Sequence, residues 1–146
     1  MRGLIERAAA NVEAEADGPG PVILALDNSP ELIVLVLACL VAGRPFCIVS
    51  ADRAATFLPA VAGPGGVLRP SLVVASASVG SAWRIVEPDV LIDRPATLGG
   101  LPVRDRSPDR LVYLQPTSGS SGVPKLVPVT ERMLIAQLQG ISDRSG

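Results

Sequence analysis

At 146 residues the chain is the size of one ordinary domain and can bury a real core. Its formal charge of −1 gives no electrostatic reason to expect nucleic acid or an anionic membrane surface, and two Phe, one Trp and one Tyr are too few for base-stacking platforms. Histidine is absent, which excludes Ser-His-Asp and Cys-His nucleophiles and any imidazole metal site.

The composition is 48% apolar and only 18% charged, so part of the apolar surface is expected to meet other protein. The longest apolar run, residues 32–42, is about half of what a bilayer span requires and reads as a buried helix, so no membrane partner is expected. The opening Met1-Arg2-Gly3-Leu4-Ile5-Glu6-Arg7 carries charges where a signal peptide needs an apolar block. A cytoplasmic location is the expectation.

In chain order, Leu4, Ile5, Ala8, Ala9 and Val12 recur at helical spacing, which predicts an amphipathic helix over residues 4–12. Gly18-Pro19-Gly20-Pro21 ends it and opens a turn. Residues 22–26 are a continuous apolar run of strand length, suited to a strand buried on both faces. The next helix has a legible start: Ser29 as cap, Pro30 at the first helical position, and Glu31 against the positive end of the dipole. Its body, residues 32–42, is apolar all round and should pack on more than one side, and Gly43 closes it as a left-handed cap.

Residues 45–49 read as the following strand, and 51–62 as a helix ended by Gly63-Pro64-Gly65-Gly66. Those glycines lack a following set of hydroxyls and lysine, so they read as a surface turn and not as an anion loop. Residues 71–75 and 83–86 read as short strands. From 87 to 109 the chain is rich in Pro, Asp and Arg without periodicity, and it reads as a solvated connection. On that reading Arg104, Asp105, Arg106, Asp109 and Arg110 face water and do not form a catalytic pair. Cys39 falls on a predicted helix and Cys47 on a predicted strand, so both are expected as buried free thiols. Strands that are apolar runs, alternating with helices, predict an α/β fold: a mainly parallel sheet with helices packed on it.

The chemistry converges on residues 114–125, Leu-Gln-Pro-Thr-Ser-Gly-Ser-Ser-Gly-Val-Pro-Lys. Residues 110–114 before it read as a strand, and 130–139 after it as a helix. Thr117, Ser118, Gly119, Ser120, Ser121 and Gly122 place hydroxyls and glycines in consecutive positions, and Lys125 follows. Glycines let the backbone take positive φ and turn several N–H groups toward one point. Hydroxyls add donors, and a lysine supplies a compact positive charge for phosphate. Such clusters are also the ordinary composition of solvated loops. The Walker pattern does not fit, because Pro124 stands where its second glycine belongs and Leu126 follows Lys125. No strand is followed by the spaced glycines of a dinucleotide fingerprint.

The segment Thr117-Ser118-Gly119-Ser120-Ser121-Gly122-Val123-Pro124-Lys125 resembles the phosphate loop of the adenylate-forming superfamily. That superfamily includes acyl-CoA synthetases, aryl-acid ligases, fatty acyl-AMP ligases and nonribosomal peptide synthetase adenylation domains. Residues 126–130 resemble the family's strand after the loop. Asp27-Asn28-Ser29-Pro30-Glu31 with Ala42-Gly43 resembles, more loosely, a strand–helix unit early in its large domain. One departure is Glu131, where many members carry a His after the Thr.

The resemblance implies an early part of the large N-terminal domain of such an enzyme over residues 1–146, with the phosphate loop at 114–125 and no complete C-terminal lid domain. It implies that Thr117, Ser118, Gly119, Ser120, Ser121, Gly122 and Lys125 hold the β- and γ-phosphates of ATP. Magnesium is implied too, its ligand lying outside this chain. The family's adenine and metal motif, ribose-binding Asp and catalytic lysine are not found in these residues, so no catalytic residue is assigned. The expected function is a piece of a carboxylic acid–activating ligase, inactive alone. The parent would act on a carboxylic acid and on coenzyme A or a carrier-protein phosphopantetheine. The alternative expectation is a non-catalytic α/β module that docks a partner or carrier protein.

Overall fold

The computed structural model describes residues 1–76, 79, 82–96, 107–118 and 122–145. Helix α1 (Arg2–Glu15) leads through a turn into β1 (Val22–Ala25), α2 (Pro30–Ala42), β2 (Phe46–Val49), α3 (Ala51–Ala62), β3 (Leu72–Ala75) and β4 (Ile85–Val86). Then come α4 (Pro88–Asp93), β5 (Leu111–Thr117), β6 (Lys125–Thr130) and α5 (Glu131–Ser145). The strands form one six-stranded sheet in the order β4-β3-β1-β2-β5-β6. All neighbours are parallel except β5 and β6. The α/β fold with a mainly parallel sheet is therefore as the apolar strand runs require.

Strand β1 sits in the middle, pairing Val22 with Phe46 of β2 on one side and with Leu72 of β3 on the other. Alternation along the strands divides the interior into two cores. Val22, Leu24, Phe46, Leu72 and Val74 point to one face, against α1, α2 and α4. Ile23, Ala25, Cys47, Val49 and Val73 point to the other, against Ala54, Phe57, Leu58 and Val61 of α3. The chain runs from β1 to β2 through α2, then crosses back over β1 to β3 through α3. Consecutive right-handed crossovers in opposite directions put those two helices on opposite faces.

Helix α2 is held as its sequence reads. Ser29 Oγ accepts from the Leu32 N–H at 3.2 Å, Pro30 is the first helical residue, and Gly43 takes the left-handed conformation at φ 68°. Its N–H reaches back to the carbonyls of Cys39 and Leu40. Arg44, buried at 8% exposure, pairs with Glu13 and donates to the Gly18 carbonyl, tying the end of α1 to the α2–β2 corner. Both cysteines are buried and free, and burial pushes each thiol up to about 12.

Three readings change. The stretch 87–109 is not wholly a solvated connection: its start folds into α4, whose Pro88, Leu91 and Ile92 are buried, the latter two in the first core. Asn11, 2% exposed in α1, clasps it by donating to the carbonyls of Leu91 and Arg94, each at 2.9 Å. Arg104, Asp105 and Arg106 lie outside the described residues, whereas Asp109 and Arg110 pair with Arg132 (3.2 Å) and Glu131 (3.5 Å) at the start of α5. Strand β5 runs on past residue 114 to Thr117, because β6 pairs with it up to Thr117↔Lys125. Helix α1 begins at Arg2 and α5 ends at Ser145, so both exceed their periodic segments. Helix α5 buries none of its described residues, and Met133, Ile135, Leu138 and Ile141 are exposed along it. Among the described residues no helix is long and apolar enough to cross a membrane.

Candidate functional site

The carboxyl ends of β2 and β5 lie side by side, the two strands joined in register through Phe46↔Tyr113. Beyond them opens a cavity of about 530 Å³. Its walls come from three places: Ile48, Val49 and Ser50 at the end of β2, Arg53, Thr56, Phe57 and Ala60 on α3, and Tyr113, Gln115, Pro116, Thr117, Ser118, Gly122 and Pro124 around the loop. A crevice outside the carboxyl ends of parallel strands is the usual ligand position in open α/β sheets.

The loop leaves β5 at Thr117 and returns as β6 at Lys125, so it is the turn of an antiparallel hairpin at the sheet edge. Thr117 Oγ1 lies 3.4 Å from the Lys125 carbonyl and closes the neck. Thr117, Ser118 and Gly122 all line the cavity. Gly122 has φ 75°, and a Cβ there would meet no atom within 4 Å. Its requirement for glycine is therefore conformational and not steric. Gly119, Ser120 and Ser121 lie outside the described residues. Lys125 is exposed at the first residue of β6 and is not among the residues lining the cavity.

The basic residue on the wall is Arg53, in the first turn of α3, with no ion pair among the described residues. Tyr113 packs on Phe46 with ring centroids 5.2 Å apart, and burial, with a lesser contribution from Cys47, holds its phenol above the ordinary value. It stays neutral at physiological pH. Nothing local in the sequence singles out Ser50, Arg53, Thr56 or Tyr113. The signal that exists is positional, since Ser50 and Arg53 directly follow the carboxyl end of a buried parallel strand.

A second cavity of about 400 Å³ opens at the carboxyl ends of β1 and β3. Asp27, Glu31, Glu87 and Asp89 line it. Among the described residues no group of three or more Cys, Asp or Glu could hold a metal ion.

The family model described as "AMP-binding enzyme" matches residues 4–145. The chain belongs to the AMP-binding enzyme family. No curated protein sequence matches it significantly. Among solved structures, this chain is similar to McyG A-PCP complexed with phenylalanyl-adenylate, at TM-score 0.77 and 18% identity over 99% of this chain and 25% of that one. It is similar to the Klebsiella oxytoca NpsA N-terminal subdomain in complex with 3-hydroxyanthranilyl-AMSN, at TM-score 0.67 and 24% identity over 88% of this chain and 32% of that one. It is also similar to the fatty acyl-adenylate ligase from L. pneumophila in complex with acyl adenylate and pyrophosphate, at TM-score 0.68 and 22% identity over 93% of this chain and 25% of that one. The chain thus spans about a quarter to a third of the length of these structures. At such identities the likeness establishes the shared fold.

Glu131 is the first residue of α5. Its carboxylate pairs with Arg110 at the base of the hairpin, 3.5 Å away.

Proposed function

We propose that residues 114–125 form the phosphate loop of an acyl-adenylate-forming ligase and hold the β- and γ-phosphates of ATP. The observation that carries this reading is the left-handed Gly122 at the return of a hairpin whose Thr117 and Ser118 open onto the cavity. Thr117, Ser118, Gly119, Ser120, Ser121 and Gly122 would supply backbone N–H groups and hydroxyls, with Lys125 as a charge reaching in from the rim. In the reaction a substrate carboxylate oxygen forms a bond to the α-phosphorus of ATP. The bond from that phosphorus to the bridging oxygen breaks, and pyrophosphate leaves. This chain's contribution is to neutralise charge on the departing pyrophosphate and to fix its direction. Passage of the acyl group to coenzyme A or a carrier-protein phosphopantetheine, the adenine and ribose contacts, and any magnesium would fall to residues beyond this set. On its own, therefore, the chain would bind nucleotide weakly and not turn over.

The test is calorimetric titration of ATP into the chain at low ionic strength, alongside Gly122→Val and Lys125→Ala. Valine cannot adopt the positive φ without a cost of about 1–2 kcal/mol, so Gly122→Val should lose about tenfold in affinity. Lys125→Ala should lose no more than about fivefold, as suits an exposed charge. Affinity indifferent to Gly122→Val would refute the loop assignment, and robust acyl-adenylate synthesis by these residues alone would refute the partial role.

A further inference from the structure

We propose that Arg53 on α3 is a second cation for the polyphosphate that the loop holds, gripping it from the α3 wall of the same cavity. The inference rests on the phosphate-loop reading and adds to it a residue on a different element, far from the loop in sequence.

Three observations point to Arg53. It lines the cavity together with Thr117, Ser118 and Gly122, so it borders the same space as the loop. Among the described residues it is the one basic side chain on that wall, and no carboxylate shares the cavity with it. Its guanidinium also makes no ion pair among the described residues, leaving its planar fork of donors available to phosphate oxygens. The two cavities at the carboxyl end of the sheet are thereby sorted by charge. The one at β1 and β3 carries Asp27, Glu31, Glu87 and Asp89 and repels an anion, while the one at β2 and β5 carries Arg53. The N-terminus of α3 is not itself the attraction, since the Ala51 N–H already donates to Asp27 Oδ1 at 3.2 Å. Phe57 and Tyr113 also line the cavity and lower its local dielectric, which strengthens the contact.

The experiment titrates inorganic tripolyphosphate into the full ¹⁵N-labelled chain at low salt, with Arg53→Ala and Arg53→Lys alongside. The expected result is that amides of residues 50–56 and of Gly122, Val123 and Lys125 shift with one midpoint. Arg53→Ala should weaken binding about tenfold, and Arg53→Lys should recover part of that loss as a point charge. Arg53 is exposed, so each variant should keep the wild-type spectrum elsewhere. If the loop amides shift and Arg53→Ala binds as tightly as wild type, the Arg53 inference falls and the loop reading stands. If only residues 50–56 shift, the loop reading falls, and the shared grip by Arg53 falls with it. If neither set shifts, both fall.

Discussion

Replacing Asn11 by Ala removes the clasp between α1 and α4. The Asn11 side chain is 2% exposed and donates two hydrogen bonds of 2.9 Å, to the carbonyls of Leu91 and Arg94. Alanine leaves both carbonyls without that donor, and an unsatisfied buried polar group costs about 1–3 kcal/mol. The Arg94 carbonyl is only partly buried and can recover water, so the lower half of that range applies to it. Alanine is also the better helix former, which returns about 0.5 kcal/mol. The net expectation is a loss of about 2–3 kcal/mol, read as a lower midpoint in urea with an unchanged slope. In a chain of this size that corresponds to a fall of roughly 5–10 °C in Tm. A loss below about 0.5 kcal/mol would refute the claim that Asn11 holds α4 to the body of the fold.

Gly20→Ala should be among the most damaging single changes, because a Cβ there would lie 1.8 Å from the Arg69 carbonyl oxygen and 3.2 Å from the Ser71 nitrogen. Backbone cannot yield cheaply, so a loss of about 3 kcal/mol or failure to fold is expected in thermal melts. Glu15 is hydrogen-bonded by Arg94 and then by Arg84, which hold its carboxyl below the ordinary 4.5. A lowered folded value contributes stability that is complete above 4.5 and lost as pH falls through the folded value. Glu15→Gln should thus cost about 0.5–1 kcal/mol at neutral pH and flatten the acid side of the stability curve, with the two proteins converging once the folded carboxyl is protonated. Parallel acid limbs for wild type and variant would contradict the assignment.

The parts of the fold legible in sequence are those specified locally. Ser29, Pro30, Glu31 and Gly43 mark both ends of α2, and the structure places the cap and the left-handed residue at those positions. Helix α3 occupies Ala51–Ala62 as its composition indicates. What stayed hidden depends on distant partners. Helix α4 is six residues long, too short for a period to show, and it is fixed by Asn11 from the other end of the chain. Gln115, Pro116 and Thr117 have the composition of a loop and become strand because Lys125, Leu126 and Val127 pair with them. The candidate site is half legible. The loop residues carry their chemistry in their own order, whereas Arg53 joins them through the side-by-side placement of β2 and β5, which no local signal states.

The two cysteines divide between the two cores: Cys39 on α2 packs on one face of the sheet and Cys47 on β2 on the other. A sheet of backbone therefore stands between the sulfurs, and oxidation could not bridge them without prising the strands from a helix layer. Each thiol is in effect a sealed gauge of its own side. Reagent reaching Cys39 reports loosening beneath α1 and α2, and reagent reaching Cys47 reports loosening beneath α3, so the two faces can be watched separately as the molecule comes apart.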